Sequence, residues 1–478
     1  MRRGHSTFIA FAATLAACQS VPQIYYGTPR PRHPPDELWI NNSGEPEYID
    51  PGKSSDSLGS EVIANLFAGL AEVHPQSLTP VPEIATHWDI SADGRVYTFH
   101  LRESAWSDGQ PLTAEDFAFS WRRVLDPNTA SRYGSMLHVL KNGQPFNQRA
   151  LFVAGEHDPD TVARAFTPHI PVARAVRSEA PPGVFVYLGG KDADKSKHLR
   201  AALGLTRLSV AGQPLTPRLA GPELVGVRAL DARTLQVELE HPLPYFLSLV
   251  AYTTFKPVPR HVLDRLAAAH QEVDLWTRPE HIVSNGPYVL TSWHFKHYFT
   301  YERNPRYWDA QAVRIRKVKV YEVESANTAL NLYRDGDLDW LGSNTPLPSE
   351  FLAHLEGFKD CHRDPMLSVY FYWLNTRQAP LDNVKVRRAL SLAVDREALV
   401  KYVTRGGQLP SADLVPDGLA GYAGLKRPVF DPNAARTLLA EAGFPGGQGL
   451  KPITLIYNTS EGHKQIAEAV QGMWHKHL

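Results

Sequence analysis

The segment that decides the fold class runs from Arg95 to Pro127 and reads RVYTFHLRESAWSDGQPLTAEDFAFSWRRVLDP. Residues 95–101 alternate between apolar and polar side chains, which predicts a β-strand with one buried face. The Trp-Ser-Asp-Gly run at 106–109 predicts a turn. Thr113 and Asp116 then resemble a capping box, with Asp in place of Glu, and the apolar stripe that follows predicts a helix ending at the Asp-Pro pair. A strand is therefore followed closely by a helix, as in α/β proteins.

The rest of the chain continues this alternation of strands and helices without an internal repeat. The predicted strands are 37–41, 235–239, 288–290, 299–302, 318–323 and 453–456. The predicted helices are 57–70, with a serine as N-cap, 259–269, 384–405, 432–442 and 460–476. Residues 141–226 depart from the pattern, because they contain Pro- and Gly-bearing segments and only one short helix over 195–203. We interpret them as a surface elaboration of the domain that contains them.

The composition excludes several functional classes. The 478 residues predict about two to four domains, and their 50 basic and 50 acidic side chains give a formal charge of zero. Without a basic surplus to neutralise phosphates, we expect no nucleic-acid partner. The sequence has no His-Glu-x-x-His or Gly-x-Ser-x-Gly motif, its 20 histidines are scattered, and it contains two cysteines. We therefore expect no enzyme activity, no metal and no cofactor.

The N-terminus indicates secretion and lipid anchoring. Two arginines precede an apolar stretch from Phe8 to Leu15, and a Leu-Ala-Ala-Cys sequence ends at Cys18. This pattern predicts a bacterial signal peptide over residues 1–18, with Cys18 lipidated as the first mature residue. The alternative is a plain cleaved signal with a chance cysteine. The Pro-rich residues 19–35 predict a tether, so we expect a periplasmic protein attached to the cell envelope only through its lipid, with the choice of membrane open.

A series of short strings resembles one protein family. In chain order they are Glu83 to Ala85, Trp88, Asp93-Gly94, Tyr97 to Arg102, Trp106 to Gly109, Thr113 to Phe117, Asn285 to Tyr288, Arg303 to Trp308, Val386 to Leu390 and Ala440 to Phe444. Each string alone fits ordinary core and turn chemistry, but the series resembles solute-binding protein family 5. These are extracytoplasmic receptors of peptide-importing ABC transporters. The strings at 126–131 and 457–460 are similar to the oligopeptide-binding branch.

The resemblance implies an α/β fold of the class II periplasmic-binding-protein type, with two lobes, a hinge and three domains. Domain I would combine residues 36–67 with 266–366. Domain II would be 68–265, with the insertion at about 141–226, and domain III would be 367–478. Relatives in the family continue beyond the helix that ends this sequence, so domain III is expected to be incomplete. A fragment, a frameshifted product and a genuinely shortened protein all stay open.

The resemblance also implies a function. The protein would bind an oligopeptide in extended form between its lobes, with the peptide main chain paired as an added strand. It would act as a monomer and deliver the peptide to the permease and ATPase subunits of an inner-membrane ABC importer. Alternatives are a family 5 receptor for another ligand, such as a murein peptide, haem or a metal chelate, and a non-functional truncated remnant. An enzyme or a structural lipoprotein is the third class.

The family's peptide-contacting positions carry over to residues in both halves of the chain. The segment from Ser55 to Ser57 matches a strand that pairs with the peptide backbone, and Tyr133 matches a tyrosine that faces the peptide. Asn344 falls near a pocket asparagine, in a loop with two extra residues. Core packing is the alternative role for Tyr133.

The remaining candidates lie in the last quarter of the chain. His463 matches a histidine that meets the peptide's C-terminal carboxylate, and Arg405 lies beside the position of a lysine with the same task, which Thr404 occupies here. Trp373 replaces a pocket glutamate, so this pocket should be less favourable for basic side chains. The alternatives are core packing for Trp373 and a solvent-exposed helix start for His463.

Overall fold

The computed structural model describes residues 24–28, 31–190, 192–205, 208–342, 344–364, 366, 368–416, 422, 424, 430–458 and 460–478. These residues form two compact units, which we describe separately. The large unit consists of His33–Glu324 with Leu338–Thr345. The small unit consists of Ser325–Asp337 and Pro346–Leu478, together with the described part of the first 32 residues. The division into three domains with the boundaries given above remains a prediction.

The large unit contains both strands and helices, and the regular elements described in the small unit are helices joined by irregular segments. The strands are β1 (Glu37–Asn41), β2 (Ala71–Val73), β3 (Pro80–Pro82), β4 (Ala85–Ile90), β5 (Val96–Leu101), β6 (Leu151–Ala154), β7 (Val172–Glu179), β8 (Pro182–Leu188), β9 (Ser209–Val210), β10 (Gln213–Pro214), β11 (Pro217–Leu219), β12 (Val227–Asp231), β13 (Thr234–Glu238), β14 (Tyr288–His294), β15 (Tyr298–Arg303) and β16 (Lys317–Tyr321). The α-helices are α1 (Ser57–Leu66), α2 (Ala114–Leu125), α3 (Gly143–Asn147), α4 (Pro159–Phe166), α5 (Asp192–Leu203), α6 (Phe246–Val250), α7 (Arg260–Ala268), α8 (Ala326–Asp335), α9 (Leu352–Leu355), α10 (Val384–Leu392), α11 (Arg396–Ala398), α12 (Pro432–Glu441) and α13 (Glu461–His477).

Two four-stranded sheets form the body of the large unit. The first has the order β1-β16-β15-β14, in which β1 runs parallel to β16 and the other pairs are antiparallel. The second has the order β12-β13-β5-β4 and is antiparallel throughout. A parallel pair requires a long crossover connection, here the whole chain between β1 and β16. The mixture of such a pair with packed helices agrees with the predicted α/β class.

The region 141–226 contains a third four-stranded sheet, with the order β11-β6-β8-β7. Both faces of this sheet are buried, one by a cluster around Leu151 and Val186 and the other by a cluster around Phe152 and Phe185. Because both faces are buried, residues 184–187 are all apolar and lack the alternation by which the other strands were predicted. The surface elaboration expected here is thus an ordered subdomain with its own core. Its predicted short helix lies within α5.

The segment from Arg95 to Pro127 folds as its sequence predicts. Residues 96–101 form β5, and α2 begins after Thr113, whose amide and hydroxyl donate to the Asp116 carboxylate at 2.8 and 2.9 Å. The apolar stripe of α2 is buried, and the indole of Trp121 donates to the Phe255 carbonyl at 2.8 Å. The predicted capping box and helix are therefore confirmed.

The predicted helix over 57–70 ends early, at Leu66. Phe67 is extended, and the next residues pair with the loop before β4: the Gly69 carbonyl accepts from the Ile84 amide at 3.0 Å, and the Gly69 amide donates to the Glu83 carboxylate at 2.6 Å. These hydrogen bonds replace those of a continued helix. The N-cap also differs, because Asp56 and not a serine accepts the capping hydrogen bond.

Two predictions for the small unit are wrong. The helix over 384–405 is divided into α10, α11 and a π-helical turn, Leu399–Thr404, because the Asp395 carboxylate accepts from the Ala398 amide at 2.9 Å and starts a new helix. Residues 453–456 do not form a strand, since a strand needs a ladder partner and the described residues of this unit include no strand. The final helix α13 packs on α10, where the Trp474 indole donates to the Leu390 carbonyl at 2.9 Å.

Candidate functional site

The segment from Ser55 to Ser57 leads into α1 of the large unit. Asp56 has extended backbone angles (φ −113°, ψ 159°), and its carboxylate accepts from the Gly59 amide at 2.7 Å. Within the described residues, the backbone amides of Ser55, Asp56 and Ser57 donate no hydrogen bond. Among the described residues, the segment belongs to no sheet of the protein, and its pairing with a peptide backbone stays a prediction. Its backbone donors can pair with an added, extended chain.

A buried ion pair holds the loop that precedes this segment. Both terminal nitrogens of Arg123, on α2, contact the Asp50 carboxylate at 3.0 and 2.6 Å, and the Trp276 indole donates to it at 3.2 Å. Burial raises the pKa of Asp50, but Arg123 and the other donors outweigh burial and hold the pKa below its ordinary value. The Asp50 carbonyl accepts from the amides of Lys53 and Ser54. The buried ion pair and these hydrogen bonds thus fix the loop that leads into the segment from Ser55 to Ser57.

Tyr133 lies directly against the same segment. Its hydroxyl donates to the Ser55 carbonyl at 3.2 Å, and its ring meets the Tyr252 ring edge-on, with 5.9 Å between centroids. Burial, and next the neighbouring Tyr133, raise the pKa of Tyr252 to about 12. Tyr133 is half-buried. The peptide contact predicted for it stays a prediction.

Arg132 and Glu47 complete this part of the surface and were not found from the sequence. Arg132 donates from both terminal nitrogens to the Glu47 carboxylate at 2.7 Å each, and one of these nitrogens also contacts the Ser55 hydroxyl at 3.2 Å. Glu47 is the main cause that raises the pKa of Arg132 further above its ordinary value. The sequence offered one indication of a role for Arg132, its position next to the predicted Tyr133. Its partner, 85 residues away, was not predictable from local pattern.

Asn344 is connected to the same helix start. Its amide donates to the Asn42 side-chain oxygen at 3.2 Å, and the Asn42 amide donates to the Leu58 carbonyl at 3.3 Å. Asn42 is buried, whereas Asn344 is half-buried. The large unit therefore brings four predicted residues to the beginning of α1: Ser55, Ser57, Tyr133 and Asn344.

In the small unit, His463 lies in the first turn of α13. Its Nδ1 is 2.5 Å from the Asn458 side-chain oxygen, which also accepts from the Ser460 amide at 3.4 Å. Because that oxygen is already an acceptor, Nδ1 must carry the proton, and a neutral His463 has no hydrogen on Nε2. The ring also packs on Tyr370, with 5.1 Å between centroids. His463 is half-buried and held by these contacts, so it is not a side chain loose in solvent.

Trp373 is exposed, with an accessible fraction of 86%. Its ring contacts the Phe371 ring edge-on at 5.0 Å, and Tyr370 and Tyr372 make a similar contact at 5.7 Å. The core-packing alternative for Trp373 is therefore wrong. Tyr370 of the same segment also contacts His463, and Trp373 lies three residues further along the chain.

Arg405 follows the π-helical turn in a left-handed conformation (φ 54°) and is exposed. Its Nε donates to the Tyr402 carbonyl at 3.1 Å, and the Thr404 hydroxyl donates to Gln408 at 2.7 Å. Among the described residues, no hydrogen bond or ring contact joins Arg405 to His463. A shared role of the two residues in binding a carboxylate stays a prediction.

Other predictions concern anchoring, metals and membrane insertion. Cys18, the predicted lipidation site, lies outside the described residues. No set of three or more His, Cys, Asp or Glu side chains in the described part of the chain is arranged to hold a metal ion. None of the helices that the structure describes has the length and apolar character needed to cross a bilayer.

The family assignment follows from a match over most of the chain. Residues 79–477 match the family model described as bacterial extracellular solute-binding proteins, family 5. The chain therefore belongs to this family, a class of two-lobed α/β binding proteins, and it is a solute-binding protein and not an enzyme.

Several characterised proteins are similar to this chain. The periplasmic oligopeptide-binding protein OppA of Salmonella typhimurium is 34% identical over 452 residues, which cover 92% of this chain and 68% of that protein. The oligopeptide-binding protein OppA of Bacillus subtilis is 31% identical over 450 residues, covering 92% and 69%. A crystal structure of a periplasmic oligopeptide-binding protein from Borrelia burgdorferi has a TM-score of 0.73 and 29% identity, covering 92% of this chain and 73% of that one.

Proposed function

We propose that this protein is an extracytoplasmic receptor that binds oligopeptides in extended form and delivers them to the permease and ATPase subunits of an ABC importer. The observation that carries the proposal is the row of unpaired backbone amides from Ser55 to Ser57, beside Tyr133. An extended peptide presents carbonyl oxygens at the spacing that such amides can pair with. The oligopeptide-binding relatives support the same ligand class.

Pairing through the main chain has a consequence for selectivity. Backbone groups are common to all peptides, so affinity would depend little on the side chains, apart from local preferences. One such preference is expected at Trp373, an exposed aromatic ring with no carboxylate to pair with a basic residue. At the carboxylate end, a charged His463 can donate from Nε2 while Nδ1 remains bound to Asn458.

We also propose that the mature protein is held in the periplasm by a lipid on Cys18. The signal-like N-terminus ending in Leu-Ala-Ala-Cys supports this arrangement. A lipid anchor would confine the receptor to the cell envelope. The tether predicted over residues 19–35 is too long, because the amides of Tyr26 and Gly27 donate to the Asp360 carboxylate at 3.0 and 2.9 Å. Arg32 is bound in the same way, through its amide to the Gly336 carbonyl at 3.1 Å and through its guanidinium to the Asp337 carboxylate at 3.0 Å.

The test of main-chain pairing is Ser57→Pro, which removes one backbone donor. Ser57 is the first residue of α1, a position where proline costs the helix no hydrogen bond, and Asp56 already has the extended angles required before proline. A peptide carbonyl left unpaired in the complex costs about 1 to 3 kcal/mol, so affinity should fall by about fivefold to about a hundredfold.

Calorimetric titration of one tetrapeptide into the wild type, Ser57→Pro and Ser57→Ala makes the comparison. Ser57→Ala is the matched control, because it removes the side-chain hydroxyl and keeps the amide. We expect it to bind like the wild type. Equal affinities of Ser57→Pro and Ser57→Ala would refute pairing at this amide, and a wild type that binds no peptide would refute the function itself.

A further inference from the structure

Glu322 is a carboxyl group in an apolar position of the first sheet. In β16 the side chains of Val318 and Val320 are buried, and Glu322 continues this alternation directly after the strand, with an accessible fraction of only 8%. Neither of its carboxylate oxygens has a hydrogen-bond partner among the described residues. An ionised carboxylate in such a position is costly. Glu322 therefore needs either a proton or a cation.

The group that meets Glu322 is a second carboxyl, that of Glu45 in the loop after β1. Both oxygens of Glu45 are already acceptors: the Trp293 indole donates to one at 2.8 Å, and the Lys296 amide donates to the other at 2.8 Å. Both accepted hydrogen bonds come from neutral donors. Glu45 ties the β14–β15 hairpin to the loop between β1 and α1.

The other charged or titratable groups nearby do not neutralise this pair. The Lys296 ammonium lies over the Phe295 ring at 5.8 Å, and the Arg278 guanidinium lies over the Trp293 ring at 5.1 Å. Glu61 on α1 and Glu322 both act electrostatically on the buried Tyr301 of β15, so Glu61 adds negative charge to this region. His297 packs on Tyr298 with 4.8 Å between ring centroids. Lys319 lies on the opposite face of β16, over the rings of Trp39, Tyr298 and Tyr321.

We propose that Glu45 and Glu322 share one proton at neutral pH, and that loss of this proton in alkaline solution loosens the β14–β15 hairpin. With the proton present, Glu322 donates to the Glu45 carboxylate and both groups are satisfied. Without it, two adjacent anions repel each other in a poorly solvated position. The outcome is a release of Glu45 from the hairpin, which would free both the Trp293 indole and the Lys296 amide.

The direction of the pH effect follows from the acidity of the pair. Burial first, and then the Glu45 carboxyl, raise the pKa of Glu322 from its ordinary value of 4.5 to about 8, against a smaller opposite effect of the Lys296 amide. A folded protein that keeps a proton which the unfolded chain has lost gains stability from it. This contribution is fully present below pH 4.5, decreases as the pH rises, and is lost above about pH 8.

Hydrogen–deuterium exchange on the full chain tests the proposal. Exchange of the β14 and β15 amides is compared between the wild type and Glu322→Gln at each pH, so that the intrinsic pH dependence of exchange cancels. Gln supplies a neutral donor in place of the shared proton. We expect equal exchange near pH 6, and exchange up to about a hundredfold faster in the wild type near pH 9, since the opening equilibrium changes about tenfold per pH unit up to the raised pKa of about 8 and levels off above it.

Glu45→Gln should give the same pattern, which keeps the test valid if Glu322→Gln folds poorly. Glu302→Gln, an exposed residue of β15, is the matched control and should exchange like the wild type at both pH values. The proposal is overturned if the exchange rates of the wild type and Glu322→Gln differ by the same factor at both pH values. Suppression of the fast exchange by calcium alone would also overturn it, because the pair would then be a cation site and not a proton site.

Discussion

Replacing His463 by alanine should weaken the binding of a peptide with a free C-terminal carboxylate and leave its C-terminal amide almost unaffected. The magnitude follows from the contacts of the ring. Nδ1 is bound to Asn458 at 2.5 Å, so only Nε2 of the charged ring can donate to a ligand. A charge-assisted hydrogen bond of this kind contributes about 1.5 to 3 kcal/mol, which corresponds to about tenfold to about a hundredfold in affinity.

The assay is calorimetry with one tripeptide in its acid and amide forms, titrated into the wild type, His463→Ala and His475→Ala. His475 is an exposed histidine of the same helix and serves as the matched control. Equal losses for the acid and the amide would refute the carboxylate contact and leave His463 a structural residue.

Three other predictions concern single side chains. Tyr133→Phe removes a neutral hydrogen bond to the Ser55 carbonyl and should reduce peptide affinity about two- to tenfold in calorimetry; an effect no larger than that of Tyr48→Phe, an exposed tyrosine nearby, would speak against it. Trp373→Glu should favour a lysine-containing peptide over its leucine analogue by about two- to fivefold, the range of an exposed ion pair, and an unchanged ratio would contradict the pocket assignment. Cys18→Ala should abolish labelling by a fatty-acid analogue in a Gram-negative host, and persistent labelling would disprove lipidation at this residue.

Local sequence signals predicted the elements whose structure is decided locally. The Thr113–Asp116 capping box and the alternation of 95–101 each depend on neighbours within a few residues, and both are confirmed. The end of α1 is decided instead by hydrogen bonds between Gly69 and the loop before β4, which no helical pattern contains. The sequence pattern did not predict the strand β8, which contains residues 184–187. This strand is buried on both faces, and such burial removes the alternation of apolar and polar residues that identifies a strand.

In the candidate site too, some residues could be predicted from the sequence, whereas those that depend on distant contacts could not. Ser55 and Tyr133 were predicted separately from their family positions, and the structure joins them by one hydrogen bond. The Arg132–Glu47 pair next to them depends on a contact across 85 residues and could not be predicted. For Trp373 the sequence left pocket and core roles open; its exposure of 86% argues against the core role, and the pocket role stays a prediction.

Mass spectrometry of the molecules that remain bound to the purified, undenatured protein tests the central claim most directly. If the protein binds extended peptides through their main chain, the released material should be a mixture of short peptides with varied sequences, and Ser57→Pro should retain much less of it than Ser57→Ala. A single non-peptide compound, retained equally by both variants, would contradict the account.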